Sequence, residues 1–199
     1  MYKLCFIDTE TTGLDPQKNG LIQIAGKLIL LGANNENILD DVFSFNYKVK
    51  PFSGDIIEDQ ALSVNKTTKE EIATFTEPNV IYHQFSDELC KYVDKYNKAD
   101  KFFFVGYNAR FDYDFMRAFF EKNDDRYFGS FFFFPPLDVM NIAIWNLIRE
   151  RKTLPNFKLE TVANYLGITM DGGFHDAMKD IQITIEIFLK YLKVTEVKA

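Results

Sequence analysis

Asp8 and Glu10 stand one residue apart in the segment Asp8-Thr9-Glu10-Thr11-Thr12-Gly13-Leu14. In an extended segment residues i and i+2 point to the same face, so these two carboxylates project together. The Thr-Thr-Gly that follows must turn the chain, which can leave backbone amides exposed. By itself, Asp-x-Glu at a strand end is equally the mark of a solvated turn. Asp112 closes a second segment, Tyr107-Asn108-Ala109-Arg110-Phe111-Asp112, which follows an apolar run and opens a helix. Ligands in open α/β sheets gather at such junctions. A carboxylate in a first helical turn also simply suits the helix dipole. Asp114, two residues on, points elsewhere and reads as a surface residue.

A third segment is Gly172-Gly173-Phe174-His175-Asp176-Ala177-Met178-Lys179-Asp180. Asp176 can cap a helix start, which leaves His175 in the loop before it and Asp180 on the second turn. Were both helical, five residues would set them about 140° apart, too far to converge. His175 and Asp180 therefore serve one site only if His175 is on the loop, which the two glycines make pliable. Ala177 is small and lets the helix approach a sheet closely. A lone histidine is more often structural, and His83 fits that plainer reading.

Gathered in one cleft, Asp8, Glu10, Asp112 and Asp180 would repel one another. At ~4 Å and an effective dielectric near 20, one pair of like charges costs roughly 4 kcal/mol. A folded chain tolerates that if the groups protonate or bind cations. An all-oxygen ligand set favours Mg²⁺ or Mn²⁺ over Zn²⁺, and the His and Cys groups of an ordinary zinc site are missing.

The elements that must position these residues can be read from pattern. Residues 2–8 form a short apolar strand. Further strands are expected from Leu21 to Leu31 and from Ile38 to Val49, joined by a polar turn at residues 32–37. Short turns between them suggest an antiparallel meander. A short helix near Lys69 to Ala73 and one near Phe85 to Asn97 come next. Phe102–Gly106 reads as a strand buried on both faces, followed by a helix from Phe111 to Lys122. Phe131–Phe134 is a second buried-strand candidate, ended by Pro135-Pro136. Helices are expected at Val139–Arg149, Lys158–Leu166 and Asp176–Lys193, the last with apolar residues near helical spacing. A meander followed by alternating helices and strands is an α/β layout with a mixed sheet.

The 199 residues suit one domain spanning 1–199. A hydrophobic share of 47% argues against global disorder. The 21 Phe and 10 Tyr read first as core packing rather than a base-stacking surface. A net charge of -6 argues against wrapping duplex nucleic acid with a broad basic face. It leaves room for an enzyme that grips one chain end through bound cations. The run Arg149-Glu150-Arg151-Lys152 reads as a solvated face. Cys5 and Cys90 are expected to be buried free thiols in a reducing compartment. The N-terminus meets acidic residues too early for a secretory signal, and no run of ~18 apolar residues marks a membrane span, so a cytoplasmic protein is expected.

Taken together the three segments resemble the DEDDh branch of the DEDD exonucleases, the DnaQ-like and ribonuclease T-like enzymes. Asp8-Thr9-Glu10-Thr11-Thr12-Gly13-Leu14 is similar to their first motif, Asn108-Ala109-Arg110-Phe111-Asp112 to their second, and His175-x-Ala177-x-x-Asp180 to their third. Leu159-Glu160-x-x-Ala163-x-x-Leu166-Gly167-Ile168 is also similar to the family. Tyr107 departs from it, standing where many relatives carry histidine.

The resemblance implies a ribonuclease H-like fold, with a five-stranded mixed sheet of order 3-2-1-4-5, strand 2 antiparallel, flanked by helices. It implies a 3′-5′ exonuclease acting on the single-stranded 3′ end of DNA or RNA and releasing nucleoside 5′-monophosphates. Asp8, Glu10, Asp112 and Asp180 would hold two divalent metal ions, Mg²⁺ or Mn²⁺, with Asp8 bridging them, and His175 would be the general base. Thr11, Thr12 and Leu14 would contact the terminal nucleotide, Asn108 the phosphate region, and Phe174 would stack on a base or pack in the core. A polymerase or another replication or repair protein would be a partner. The alternative is a catalytically inactive module that binds nucleic acid or protein on the same fold, which would have no need of a positioned His175.

Overall fold

The computed structural model describes residues 2–31, 38–168 and 177–192. Strands β1 (Tyr2–Thr11), β2 (Leu21–Leu31) and β3 (Ile38–Lys48) form the expected antiparallel meander. A connection follows that carries α1 (Asp59–Asn65), α2 (Lys69–Ala73) and α3 (Pro78–Cys90). The short strand β4 (Phe103–Gly106) runs parallel to β1 and leads into α4 (Ala109–Lys122). Then come the single turn α5 (Phe128–Phe131), strand β5 (Leu137–Asp138), α6 (Val139–Asn146), a 3₁₀ turn at Ile148–Glu150, α7 (Leu159–Tyr165) and α8 (Ala177–Leu192). The sheet order is β3-β2-β1-β4-β5, with β2 antiparallel to its neighbours, as the resemblance implies.

Alternation along β1 splits the core into two layers. Cys5 and Ile7 join Phe85, Met116, Phe119 and Phe120 on one face of the sheet. Leu4 and Phe6 join Val139, Ala163, Ile181 and Phe188 on the other. Helices therefore cover both faces, and the phenylalanines are largely core, as the composition suggested. Gly26 is required where β2 crosses Phe45, because a Cβ there would sit 2.2 Å from the ring and 2.5 Å from the Phe6 carbonyl oxygen.

Several expectations are corrected. Strand β1 does not stop at Asp8 but runs to Thr11, so both early carboxylates belong to the strand itself. The four phenylalanines at 131–134 are not the last strand. Phe131 ends α5, Phe132 makes one isolated bridge with Phe102, and Phe134 is 64% exposed. Pairing resumes only after Pro135 and Pro136, which lack amide donors, so β5 is Leu137–Asp138. Short apolar runs carry no period that separates strand from buried turn. Helix α3 begins at Pro78, well before Phe85, because proline is suited to a first helical turn. Helix α1 has no strong apolar period and was not anticipated. Cys5 is buried, but Cys90 is exposed at the end of α3.

Phe104 is fully buried, with ring centroids of Tyr113 and Phe132 at 5.4 and 5.5 Å. We expect Phe104→Ala to cost about 3–5 kcal/mol in urea unfolding, and Phe134→Ala, at an exposed ring, less than about 1 kcal/mol. Similar losses at the two positions would contradict the assignment of Phe104 to the core and Phe134 to the surface.

Candidate active site

The length mismatch between two neighbouring strands creates the site. β1 pairs with β4 only through Leu4, Cys5 and Phe6. Beyond Phe6, β1 outruns β4, which ends at Gly106 so that the chain can turn into α4. Gly106 allows that close turn, since a Cβ would lie 3.1 Å from the Ile7 carbonyl oxygen. Asn108 takes the left-handed conformation that the turn demands, with φ 62°, a region asparagine tolerates. Its amide donates to Asp138 Oδ1 at 3.0 Å, and the same oxygen caps α6 through the Met140 amide at 2.9 Å.

Asp112 lies in the first turn of α4 and is 4% exposed. The free end of β1 meets it there. The Thr9 amide, out of reach of β4, donates to Asp112 Oδ1 at 2.9 Å, and the Thr9 hydroxyl donates to the same oxygen at 2.8 Å. One carboxylate oxygen thus ties α4 to β1. Asp8 and Glu10 project from the opposite side of β1 to Thr9, toward the face covered by α8, whose first turn carries Asp180.

The charges of Glu10, Asp112 and Asp180 all act on Asp8. The Asp8 carboxyl is pushed well above the usual carboxylate range, first by burial, then by the negative charges of Asp112, Glu10 and Asp180. Burial pushes Asp112 up to about 7, with the Thr9 hydrogen bonds pulling against it and Glu10 adding to the rise. They share one field without forming a closed cage. Among the described residues, no three acidic, imidazole or thiol groups stand at metal-coordinating range. The donor set still suits a hard divalent ion: carboxylate oxygens only, partly withdrawn from water, and in need of positive charge.

The remaining expected residues divide. His175 and Phe174 lie outside the described residues. Leu14 is 80% exposed at the mouth of a pocket of about 260 Å³ beside Glu10. Thr11, Val64, Asn65 and Phe111 also line this pocket. The Thr11 hydroxyl donates to the Gly13 carbonyl at 2.6 Å, and the Thr11 carbonyl accepts from the Asn65 side chain at 2.8 Å. Thr12 is corrected from a contact residue to scaffold. It is fully buried, its hydroxyl donates to the Ile56 carbonyl and accepts from the Gly20 amide, and its own amide and carbonyl are bonded to Gly20 and Glu58. Asn108 is exposed at its turn. Tyr107 is half-buried, and its hydroxyl donates to the Phe157 carbonyl at 2.7 Å, tying this corner to the loop before α7. Sequence reading missed Thr9, Asp138 and the α1 wall. A cap residue directly before Val139 was the one available signal for Asp138.

Acids thus stand at the end of the central strand of a mixed sheet and in the first turns of two helices. Residues 5–188 match the family described as Exonuclease, the RNase T group, and the chain belongs to that family. It is 24% identical over 196 residues to ribonuclease T of Buchnera aphidicola subsp. Baizongia pistaciae, covering 92% of this chain and 81% of that protein. It is 25% identical over 197 residues to DNA polymerase III subunit epsilon of Aquifex aeolicus, covering 94% and 79%. Among solved structures it matches E. coli exonuclease I in complex with a dT13 oligonucleotide, with a TM-score of 0.74 and 21% identity over 97% of this chain. The chain spans 41% of that exonuclease I chain. Among the described residues, no helix is long and apolar enough to cross a membrane.

The raised carboxyls give a pH signature. Asp112 keeps its proton in the folded, metal-free protein at pH values where the unfolded chain has lost it. Stability without metal should therefore fall as pH rises from about 4 towards about 7. Asp112→Asn keeps an oxygen for Thr9 and removes the charge. We expect this variant to melt no lower than wild type in EDTA at pH 7.5, and to gain less from added Mn²⁺. Thermal melts in EDTA and Mn²⁺ at pH 5 and 7.5 check this; a variant that melts well below wild type in EDTA at pH 7.5 would contradict it.

Proposed function

We propose that this protein is a metal-dependent 3′-5′ exonuclease formed by one domain over residues 1–199. It hydrolyses the last phosphodiester of single-stranded DNA or RNA and releases nucleoside 5′-monophosphates. The reading is supported by the charges of Glu10, Asp112 and Asp180 acting on the buried Asp8, within a chain of the Exonuclease family. The complexes of exonuclease I with oligonucleotides support a single-stranded substrate, and the likeness to a polymerase III subunit supports a replication or repair partner. We place the protein in the cytoplasm.

Asp8, Glu10, Asp112 and Asp180 would hold two Mg²⁺ or Mn²⁺ ions. Such ions, when bound, supply positive charge at a scissile phosphate and an acidified water. The protein's own residues do the rest. Thr9 holds Asp112 against β1 through one carboxylate oxygen. The pocket beside Glu10 receives the terminal nucleoside, with Leu14 and Phe111 as apolar surfaces for the base. Thr11 holds the wall next to the sugar. Asn108, exposed at the helix entry, faces the phosphate, and Phe174 adds a stacking surface. His175, two positions before α8 in the sequence, would take the proton of the attacking water, a role that suits an imidazole near neutral pH.

A 5′-labelled single-stranded oligonucleotide with Mg²⁺ or Mn²⁺ should yield a ladder of shortened products, while a circular strand stays intact. Asp8→Asn should lose at least about 10³-fold in kcat, and His175→Ala about 10²–10⁴-fold with Mn²⁺ binding retained. Cleavage of circles, or turnover of linear strands unaffected by Asp8→Asn, would refute the proposal.

A further inference from the structure

The loop that joins β1 to β2 carries Gly13 and Leu14, two walls of the nucleoside pocket. Leu14 is 80% exposed, so no core packing fixes it, and its place is set by the backbone on either side. Asn19, 1% exposed, organises that backbone. Its side-chain oxygen accepts from the Asp15 amide at 2.9 Å, and its own amide donates to the Asp15 carbonyl at 2.7 Å. Its side-chain nitrogen donates to the Ile56 carbonyl at 3.0 Å and to Glu58 Oε1 at 3.1 Å, and Glu58 is a third wall of the pocket. Gly13 packs so closely on this side chain that a Cβ would lie 2.3 Å from it.

Asn19 is held in turn by the far end of α4. Lys122 Nζ donates to the Asn19 carbonyl at 2.9 Å and to Asp55 Oδ1 at 2.5 Å. The Asp55 side chain is 4% exposed, and its second oxygen accepts from the Phe52 amide at 3.0 Å. Lys122 stands in the last turn of α4, where the helix dipole favours a cation. Its two bonds join the helix to both connections that build the pocket, the loop after β1 and the segment after β3. The joint is tight: Pro16, Asn19 and Asp55 share with Phe115, Phe119 and Lys122 a cavity of about 10 Å³, at the limit for a single water. Ten residues of helix set Lys122 about 15 Å from Asp112, too far to touch the reacting phosphate.

We infer that Lys122 is a positioning residue for the terminal nucleotide: through Asn19 and Asp55 it holds Gly13, Leu14 and Glu58 in the arrangement that receives the nucleoside. The inference rests on the exonuclease reading, which gives this pocket to the nucleoside. Without the clamp the loop gains conformations, and the nucleotide must order it on binding. That weakens binding and leaves the chemical step intact. Asp112 keeps its own anchor at Thr9, at the other end of the helix.

Calorimetric titration with thymidine 5′-monophosphate in Mg²⁺, well below the melting temperature of each variant, tests this. Lys122→Met should weaken binding about tenfold, and Lys122→Arg, which keeps a cation with donors, should restore much of the affinity. On a single-stranded oligonucleotide KM should rise about tenfold, with kcat within about twofold of wild type. Mn²⁺ binding without nucleotide should be unchanged. Asp55→Asn keeps an oxygen for the Phe52 amide and cuts the same link from the other side, so it decides the matter if Lys122→Met does not fold. It should weaken nucleotide binding to the same extent, and the double variant should lose no more than either single one. A lowered melting temperature with nucleotide affinity and KM unchanged would show a purely structural ion pair and overturn the inference, as would additive losses in the double variant. A wild-type protein that binds the nucleotide but leaves strands uncut would instead defeat the exonuclease reading, and the titrations would still decide the role of Lys122.

Discussion

Repulsion among four carboxylates is the constraint around which this fold is organised. Asp8, Glu10, Asp112 and Asp180 come from β1, α4 and α8, and burial raises the cost of ionising them together. What holds them close is the mismatch between a ten-residue β1 and a four-residue β4. The overhanging end of β1 would expose an unpaired amide at Thr9, and Asp112 satisfies it. A hydrogen bond that stands in for a missing strand thus also fixes the carboxylate proposed as a ligand. The two apolar layers on either face of the sheet, from Phe104 and Phe120 to Phe6 and Phe188, hold the helices that carry Asp112 and Asp180 against this edge.

The same arrangement explains how an acidic protein can act on an anionic strand. A net charge of -6 offers no broad attractive surface. On the exonuclease reading, attraction comes from the cation demand of the carboxylates. Apolar contact beside Leu14 and Phe111 needs no charge at all. Affinity built this way depends on bound divalent ions more than on phosphate contacts with lysine and arginine, so it should respond weakly to monovalent salt.

Much of this was legible in the residues. Spacing alone placed Asp8 and Glu10 on one face, and the meander of β1 to β3 followed from short polar turns between apolar runs. Asp112 at a helix start was legible because Phe102–Gly106 is so plainly a strand. The convergence itself was not, since no local pattern states that positions a hundred residues apart meet; the family resemblance supplied it. Phe131–Phe134 misled because a core can be filled from a turn as well as from a strand, and only the prolines after it hinted at where pairing resumes. Thr12 misled because a motif threonine can serve the turn and leave nothing for a ligand. Thr9 was invisible because its role is a hydrogen bond across the fold, at a separation of 103 residues, and Asp138 offered only its place as the cap before Val139.

The most direct test of the central claim is to locate the metal. Crystals soaked in Mn²⁺ with a nucleoside 5′-monophosphate, measured at the manganese absorption edge, would show anomalous peaks at bound ions. We expect two peaks ~3.5–4 Å apart, ligated by Asp8, Glu10, Asp112 and Asp180, with the phosphate beside them. Manganese bound elsewhere, with these four side chains unmoved and unligated, would contradict it.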